Sequence, residues 1–167
     1  MLYRYAALRR RCHTLLKDIE LPTPFSVDAL CAQLALRRGR HLYLHPLPEK
    51  TAGAGACGVW LATEDTDHVF FERRTSRLHQ EHIVLHEVGH MLLDHRGTDP
   101  APDLVGLLPD LSPRLVRRLL ARTAYSTRQE QEAEMLASLI RVKAGHPFAA
   151  HRPPRPNEAE QALGLHD

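Results

Sequence analysis

The chain carries 12 histidines, several times what ordinary composition would give 167 residues. Histidine is the commonest metal ligand and the side chain that titrates near neutrality, so its placement matters. One pair is placed for chemistry: His86-Glu87-Val88-Gly89-His90 reads H-E-x-x-H. On a helix, residues four apart share a face, so both imidazoles can reach one ion with Glu87 beside it. Two neutral imidazoles suit Zn(II), which lowers the pKa of a bound water to about 7. Glu87 could take that water's proton and pass it to a leaving amine. With 12 His and 11 Glu, roughly one shuffled chain in twenty would contain the pattern by accident. Its surroundings sharpen it: Ile83, Val84 and Leu85 precede it and Met91, Leu92 and Leu93 follow, as in a buried helix whose polar groups sit at the metal positions.

Zinc in a catalytic site needs a third protein ligand and an open position. The metzincin pattern would place glycine and histidine where Leu93 and Arg96 stand, which excludes that class. Asp94 and His95 lie too close along the same helix to complete a tetrahedron. The remaining candidates are Glu130, Glu132 and Glu134 on a helix opened by Thr127, whose inward face is marked by Ala133, Leu136, Ala137 and Ile140. Glu130 projects from that face one turn early and Glu132 points more sideways, giving the order Glu130, Glu134, Glu132. For each, the competing reading is a solvated glutamate face. His82 shares the metal face one turn before His86; it reads as a donor to substrate or to Glu87, or as a histidine satisfied near the helix entry, the latter being favoured. Asp94, four residues past His90, could hold that imidazole from behind, with an exposed carboxylate as the alternative. Tyr125, shortly before the Glu130 helix, is a candidate for stabilising an oxyanion.

The elements that must position these groups follow from periodicity. Tyr3 to Ile19 repeats near 3.6 and reads as an amphipathic helix stopped by Pro22 and Pro24; Ser26 caps a second helix to about Arg38, ended by Gly39. His41 to Leu47 alternates as a short edge strand. Gly58–Thr63 and His68–Glu72 form a hairpin through Glu64-Asp65-Thr66-Asp67. The helical period returns from Ser76 to about His95. A long Pro/Gly/Asp loop from Gly97 to Pro113 leads to a helix from Ser112 to about Arg122, and Thr127 opens the last long helix to about Ala144. The expectation is one α+β domain over residues 1–145, with N-terminal helices at 3–38 and a core at 40–145, built as a small antiparallel sheet flanked by helices. Residues 146–167 form a Pro-rich tail with a short helix.

Composition sets the outer limits. A hydrophobic share of 43% and a charged share of 25% belong to a globular chain with a core, and the longest uncharged stretch, Thr51 to Thr63, is too short and too rich in Gly and Ala to span a membrane. Arg4, Arg9, Arg10 and Arg11 have no apolar run behind them, so no secretory signal is expected. Cys12, Cys31 and Cys57 are odd in number and widely spaced, which supports neither a disulfide framework nor a zinc knuckle and makes the cytoplasm the expected compartment. A net charge of +2 gives nucleic-acid binding no support. The arginines at 9–11 and at Arg114, Arg117, Arg118 and Arg122 read as a solvated face or a surface for an acidic partner.

Residues 68–93, from His-Val-Phe-Phe-Glu-Arg-Arg through His-Glu-Val-Gly-His-Met-Leu-Leu, resemble the core of the ImmA/IrrE family of small zinc metallopeptidase-like proteins. The stretch Glu130-Gln-Glu-Ala-Glu-Met-Leu-Ala-Ser-Leu-Ile resembles that family's second helix, although Arg141-Val142 stand where the family has a proline and the gap from His90 to Glu130 is long. The resemblance covers roughly residues 40–145. It implies a zincin-like, gluzincin-type fold with one Zn(2+) per chain on His86, His90 and Glu130, and Glu87 as catalytic base. It also implies a peptide or protein substrate, with a helix-turn-helix regulator cut or controlled. The alternative is a non-catalytic toxin–antitoxin component that acts by protein–protein interaction around a structural or vestigial zinc site.

Overall fold

A computed structural model of the chain describes residues 2–47, 57–95 and 125–145. The expected loop at 97–113, the helix from Ser112 with its arginines and the tail 146–167 lie outside the described residues. Within them run α1 (Leu2–Lys17), α2 (Val27–Arg38), β1 (His41–Pro46), β2 (Gly58–Ala62), β3 (Thr66–Phe71), α3 (Arg77–Leu92) and α4 (Thr127–Lys143). The architecture is α+β. No helix among the described residues is long and apolar enough to cross a membrane.

Local chemistry sets the boundaries. Ser26 accepts a hydrogen bond from the Ala29 N–H, and Gly39, at φ 62°, supplies the left-handed residue that closes α2. Ser126 and Gln129 form a reciprocal capping box at the start of α4. Helix α3 stops at Leu92 instead of continuing to His95. Asp94 turns the chain with φ 50°. The His95 N–H then reaches back to the His90 carbonyl (2.9 Å) and the Asp94 N–H to that of Met91 (3.2 Å), the doubled closure that ends a helix on a left-handed residue.

The sheet is mixed, not antiparallel as expected. Its order is β1-β3-β2; β2 and β3 form the expected antiparallel hairpin, but β1 runs parallel to β3 with His41 opposite Thr66. Alternation shows which side chains share a face and is silent on direction. The hairpin slots β3 between β1 and β2, so β3 meets β1 in the parallel sense. Among the described residues β1 is an edge, as expected, and β2 is the other.

Leu42, Leu44, Trp60, Val69 and Phe71 join one core with Cys12 and Leu16 of α1, Leu30 and Leu34 of α2, Val84, Leu85, Val88 and Met91 of α3, and Leu136 and Ile140 of α4. The helices therefore pack on one face of the sheet. Asp67, 1% exposed, ties the hairpin into this arrangement. Its carboxylate accepts from the Trp60 indole (3.0 Å) and from Arg40 (3.1 Å), while the Arg40 guanidinium also donates to the Thr63, Glu64 and Thr66 carbonyls.

The strand positions that alternate with the core residues carry Tyr43, His45, His68 and Phe70, whose rings stack along the sheet. His45 Nε2 and His68 Nδ1 lie 3.0 Å apart. Burial holds both imidazoles below their ordinary value, and for His68 the charge of His45 adds to it against Asp67 and Asp65. With folded values below the unfolded value of about 6.5, the unfolded state binds more protons, so these groups subtract stability as pH falls below about 6.5 and contribute nothing above it. Replacing His68 by Phe is expected to flatten the loss of stability between about pH 6.5 and 5, read as urea midpoints across pH. A slope equal to that of the unmodified chain contradicts the assignment.

Candidate metal centre

Helix α3 brings His86 and His90 to one side, one turn apart, with ring centroids at 4.9 Å. Helix α4 crosses α3 at Gly89. A Cβ on that glycine would lie 2.9 Å from the Ala133 carbonyl oxygen and 3.0 Å from the Ala133 Cα, closer than side-chain carbons approach backbone. The two backbones therefore touch where one has no side chain and the other only a methyl. That contact delivers Glu130, nearly one turn before Ala133, to the imidazoles. His86 Nε2 lies 2.9 Å from Glu130 Oε2 and 3.1 Å from His90 Nε2, and His90 Nε2 lies 3.6 Å from Glu130 Oε1. One ligand atom from each of His86, His90 and Glu130 falls within 4.8 Å of the other two. Of the three candidate glutamates, Glu130 is the one at this convergence.

The other two glutamates stand behind the imidazoles. Glu134 Oε2 is 3.1 Å from His86 Nδ1, and the same carboxylate is 3.0 Å from His82 Nε2. His82 thus faces Glu134. Glu132 is not on a solvated face: it is 3% exposed, with Oε2 at 2.8 Å from His95 Nε2 and Oε1 accepting from Arg11 (3.1 Å) and Arg128 (3.0 Å). His95 Nδ1 in turn lies 3.0 Å from His90 Nδ1. The place behind His90 expected for Asp94 is taken by His95, because Asp94 is the exposed left-handed residue of the turn that folds His95 under His90. Sequence reasoning weighed His95 only as a ligand and missed this role. The available signal was a histidine just past the end of the metal helix. Tyr125 lies flat on the His90 ring, with centroids 3.7 Å apart and planes 13° from parallel.

Glu87 points to the other side of the site. It is 5% exposed and receives a hydrogen bond from the Trp60 backbone N–H. Gly58 permits this approach of β2, since a Cβ there would lie 2.7 Å from Ile83 Cγ2 and 3.0 Å from Glu87 Oε1. Glu87 Oε2 is buried with no hydrogen-bond partner among the described residues. Burial pushes the carboxyl up to about 7; the His86 charge and the Trp60 N–H act downward and the Glu130 charge upward.

The donor set fits a divalent cation. Burial, then the charges of His86 and His95, bring His90 down to about 3, so its imidazole is neutral at neutral pH, as a ligand must be. For His86 burial acts downward, but the hydrogen bond to Glu134 and the charges of Glu87, Glu130 and Glu134 raise it overall. Positive charge is favoured at this position, whether a proton or a metal carries it. The hydrogen bonds with His82 and His86 hold Glu134 well below the usual carboxylate range. An imidazole that binds metal through one nitrogen and meets a carboxylate or a second partner at the other is the ordinary support of a metal site.

No protein-family model, curated protein or solved structure compared with the chain matches it.

Two substitutions test the geometry. Glu130 is exposed, so Glu130→Ala is expected to leave stability within about 0.5 kcal/mol while the purified protein loses its bound metal in elemental analysis. Full metal occupancy in that variant would exclude Glu130 as a ligand. Gly89→Ala drives a methyl into the Ala133 backbone and is expected to destabilise the fold by about 1–3 kcal/mol and to weaken metal binding with it. An unchanged melting temperature would show that the helices do not meet as described.

Proposed function

We propose that the chain is a zinc-dependent, endopeptidase-like hydrolase in which His86, His90 and Glu130 hold the ion and Glu87 is the general base. The observation that carries this reading is the Glu87 carboxyl: buried, held at one end by the Trp60 N–H, without a partner at Oε2 among the described residues, and beside a His-His-Glu convergence. Zinc, when bound, supplies a Lewis acid for a peptide carbonyl and acidifies a water to a pKa of about 7.

The protein's own part is proton handling and positioning. A carboxyl that burial raises and a nearby cation would lower is suited to both halves of a relay, taking a proton from water and giving it to the departing amine. Glu134 and His95 hold the far sides of the two imidazoles. Strand β2 pairs only with β3 among the described residues and lies against Glu87. Its other edge is suited to receive an extended peptide as an added strand, which favours a peptide or protein over a small molecule as substrate. The resemblance to the ImmA/IrrE proteins points to a helix-turn-helix regulator as that substrate, and the odd number and wide spacing of the cysteines favour the cytoplasm as the compartment.

Glu87→Gln separates this reading from a non-catalytic one. The variant is expected to keep its zinc and to lose about 10²–10⁴-fold in the hydrolysis of a denatured or helix-turn-helix protein substrate, followed by gel and mass spectrometry. Hydrolysis and biological effect both unchanged in the variant would remove Glu87 from catalysis. An unmodified chain that binds a regulator without cutting it would support the interaction reading, with zinc in a structural role.

A further inference from the structure

Behind His90 the structure holds a buried chain of groups that the proposed hydrolysis does not itself require. It runs from His90 Nδ1 to His95 Nδ1 (3.0 Å) and from His95 Nε2 to Glu132 Oε2 (2.8 Å), and ends on Arg11 and Arg128 at Glu132 Oε1. His90, His95 and Glu132 are 0%, 5% and 3% exposed, so water does not compete for these contacts.

We propose that His95 and Glu132 are positioning residues that select the tautomer of His90: Glu132, acting through His95, places the His90 proton on Nδ1 and leaves the Nε2 lone pair for a metal ion. An ionised carboxylate only accepts, so the nitrogen of His95 facing Glu132, Nε2, carries a proton. At a pH where His95 is neutral it has one donor and one acceptor, so its Nδ1 accepts. The group opposite it, His90 Nδ1, must then donate, and a neutral His90 that donates from Nδ1 has its lone pair on Nε2. That is the nitrogen facing His86 and Glu130. Reversing any one hydrogen bond places two N–H groups or two lone pairs face to face in a buried setting.

The roles are divided along the chain. Arg11 of α1 and Arg128, one turn before Glu132 on α4, keep the carboxylate ionised and oriented. Asp94 supplies the left-handed turn that folds His95 beneath the ligand. His86 needs no intermediary, because Glu134 reaches its Nδ1 directly. Carboxylates on α4 thus set both imidazoles on α3, one at first hand and one through a relay, and α1 becomes part of the metal site through Arg11.

This inference rests on the metal-site reading, and its test separates the two. Long-range ¹H–¹⁵N NMR of the metal-free full chain, at a pH where imidazoles are neutral, reads the tautomers without any ion. The expected result is His90 protonated on Nδ1 and His95 on Nε2; the reverse pair, or a doubly protonated His95, overturns the proposal. Zinc affinity, measured by competition with a chromophoric chelator, supplies the second readout. Glu132→Gln is expected to weaken binding about 10–100-fold. His95→Asn keeps an oxygen acceptor in reach of His90 Nδ1 and is expected to retain most of the affinity, whereas His95→Phe loses it to the same extent as Glu132→Gln. In the His95→Asn background, Glu132→Gln is expected to have little further effect on zinc, since the acceptor no longer depends on the carboxylate. An equal loss in both backgrounds would mean that Glu132 merely supports the fold, and overturns the proposal. An unmodified chain that binds no zinc but shows the expected tautomers would sink the metal reading instead.

Discussion

Everything at the candidate site depends on two helix backbones touching at Gly89 and Ala133. Glu130, Glu132 and Glu134 all belong to α4; Glu130 and Glu134 meet the two nitrogens of His86 on α3, and Glu132 meets His95 in the turn that follows it. If α4 stood off by the width of one further side chain, these contacts of 2.8–3.1 Å would be lost together. The hydrophobic positions on either side, Val88 and Met91 on α3 and Leu136, Ala137 and Ile140 on α4, are fully or almost fully buried and hold the helices in that contact. Packing at the core and chemistry at the site are thus one constraint seen from two sides.

The second organising feature is the matching of imidazoles to carboxylates, at the exposed Glu130 and Glu134 as well as at the buried Glu132. His82 and His86 share Glu134, His86 and His90 share Glu130, and His95 faces Glu132. A buried polar group without a partner is expensive, and here nearly every one has a partner on the facing helix. Glu87 Oε2, beside the ligand histidines, has none among the described residues, which leaves it available to a group outside them.

Much of this was legible in the linear chain. The cap Ser26, the closing Gly39, the β2–β3 hairpin and the four helices of the described residues declare themselves through turn chemistry and periodicity. His86, Glu87 and His90 are legible because their spacing is a property of one helix, and Glu130 because it precedes an apolar face on another. The parallel pairing of β1 with β3 was not legible, since alternation records faces and not direction. Nor was the partition of the three glutamates on α4. They differ by only two positions each, and their roles depend on the angle and depth at which α4 crosses α3. His95 was missed because helical periodicity extended α3 through it, whereas Asp94 at φ 50° breaks the helix and turns His95 back under His90.

What the sequence alone determined is whatever one element can encode: periodicity, caps, turns, and two imidazoles with a carboxylate between them on a single helix. The tertiary structure decided which glutamate meets the metal-facing nitrogens, which two stand behind them, which strand runs beside Glu87 and what lies behind His90. The physical reason is range. Backbone geometry fixes side-chain positions over one or two turns, but the meeting of groups from distant stretches depends on how closely two helices approach, and here that distance is set by a missing side chain at Gly89 and a methyl at Ala133.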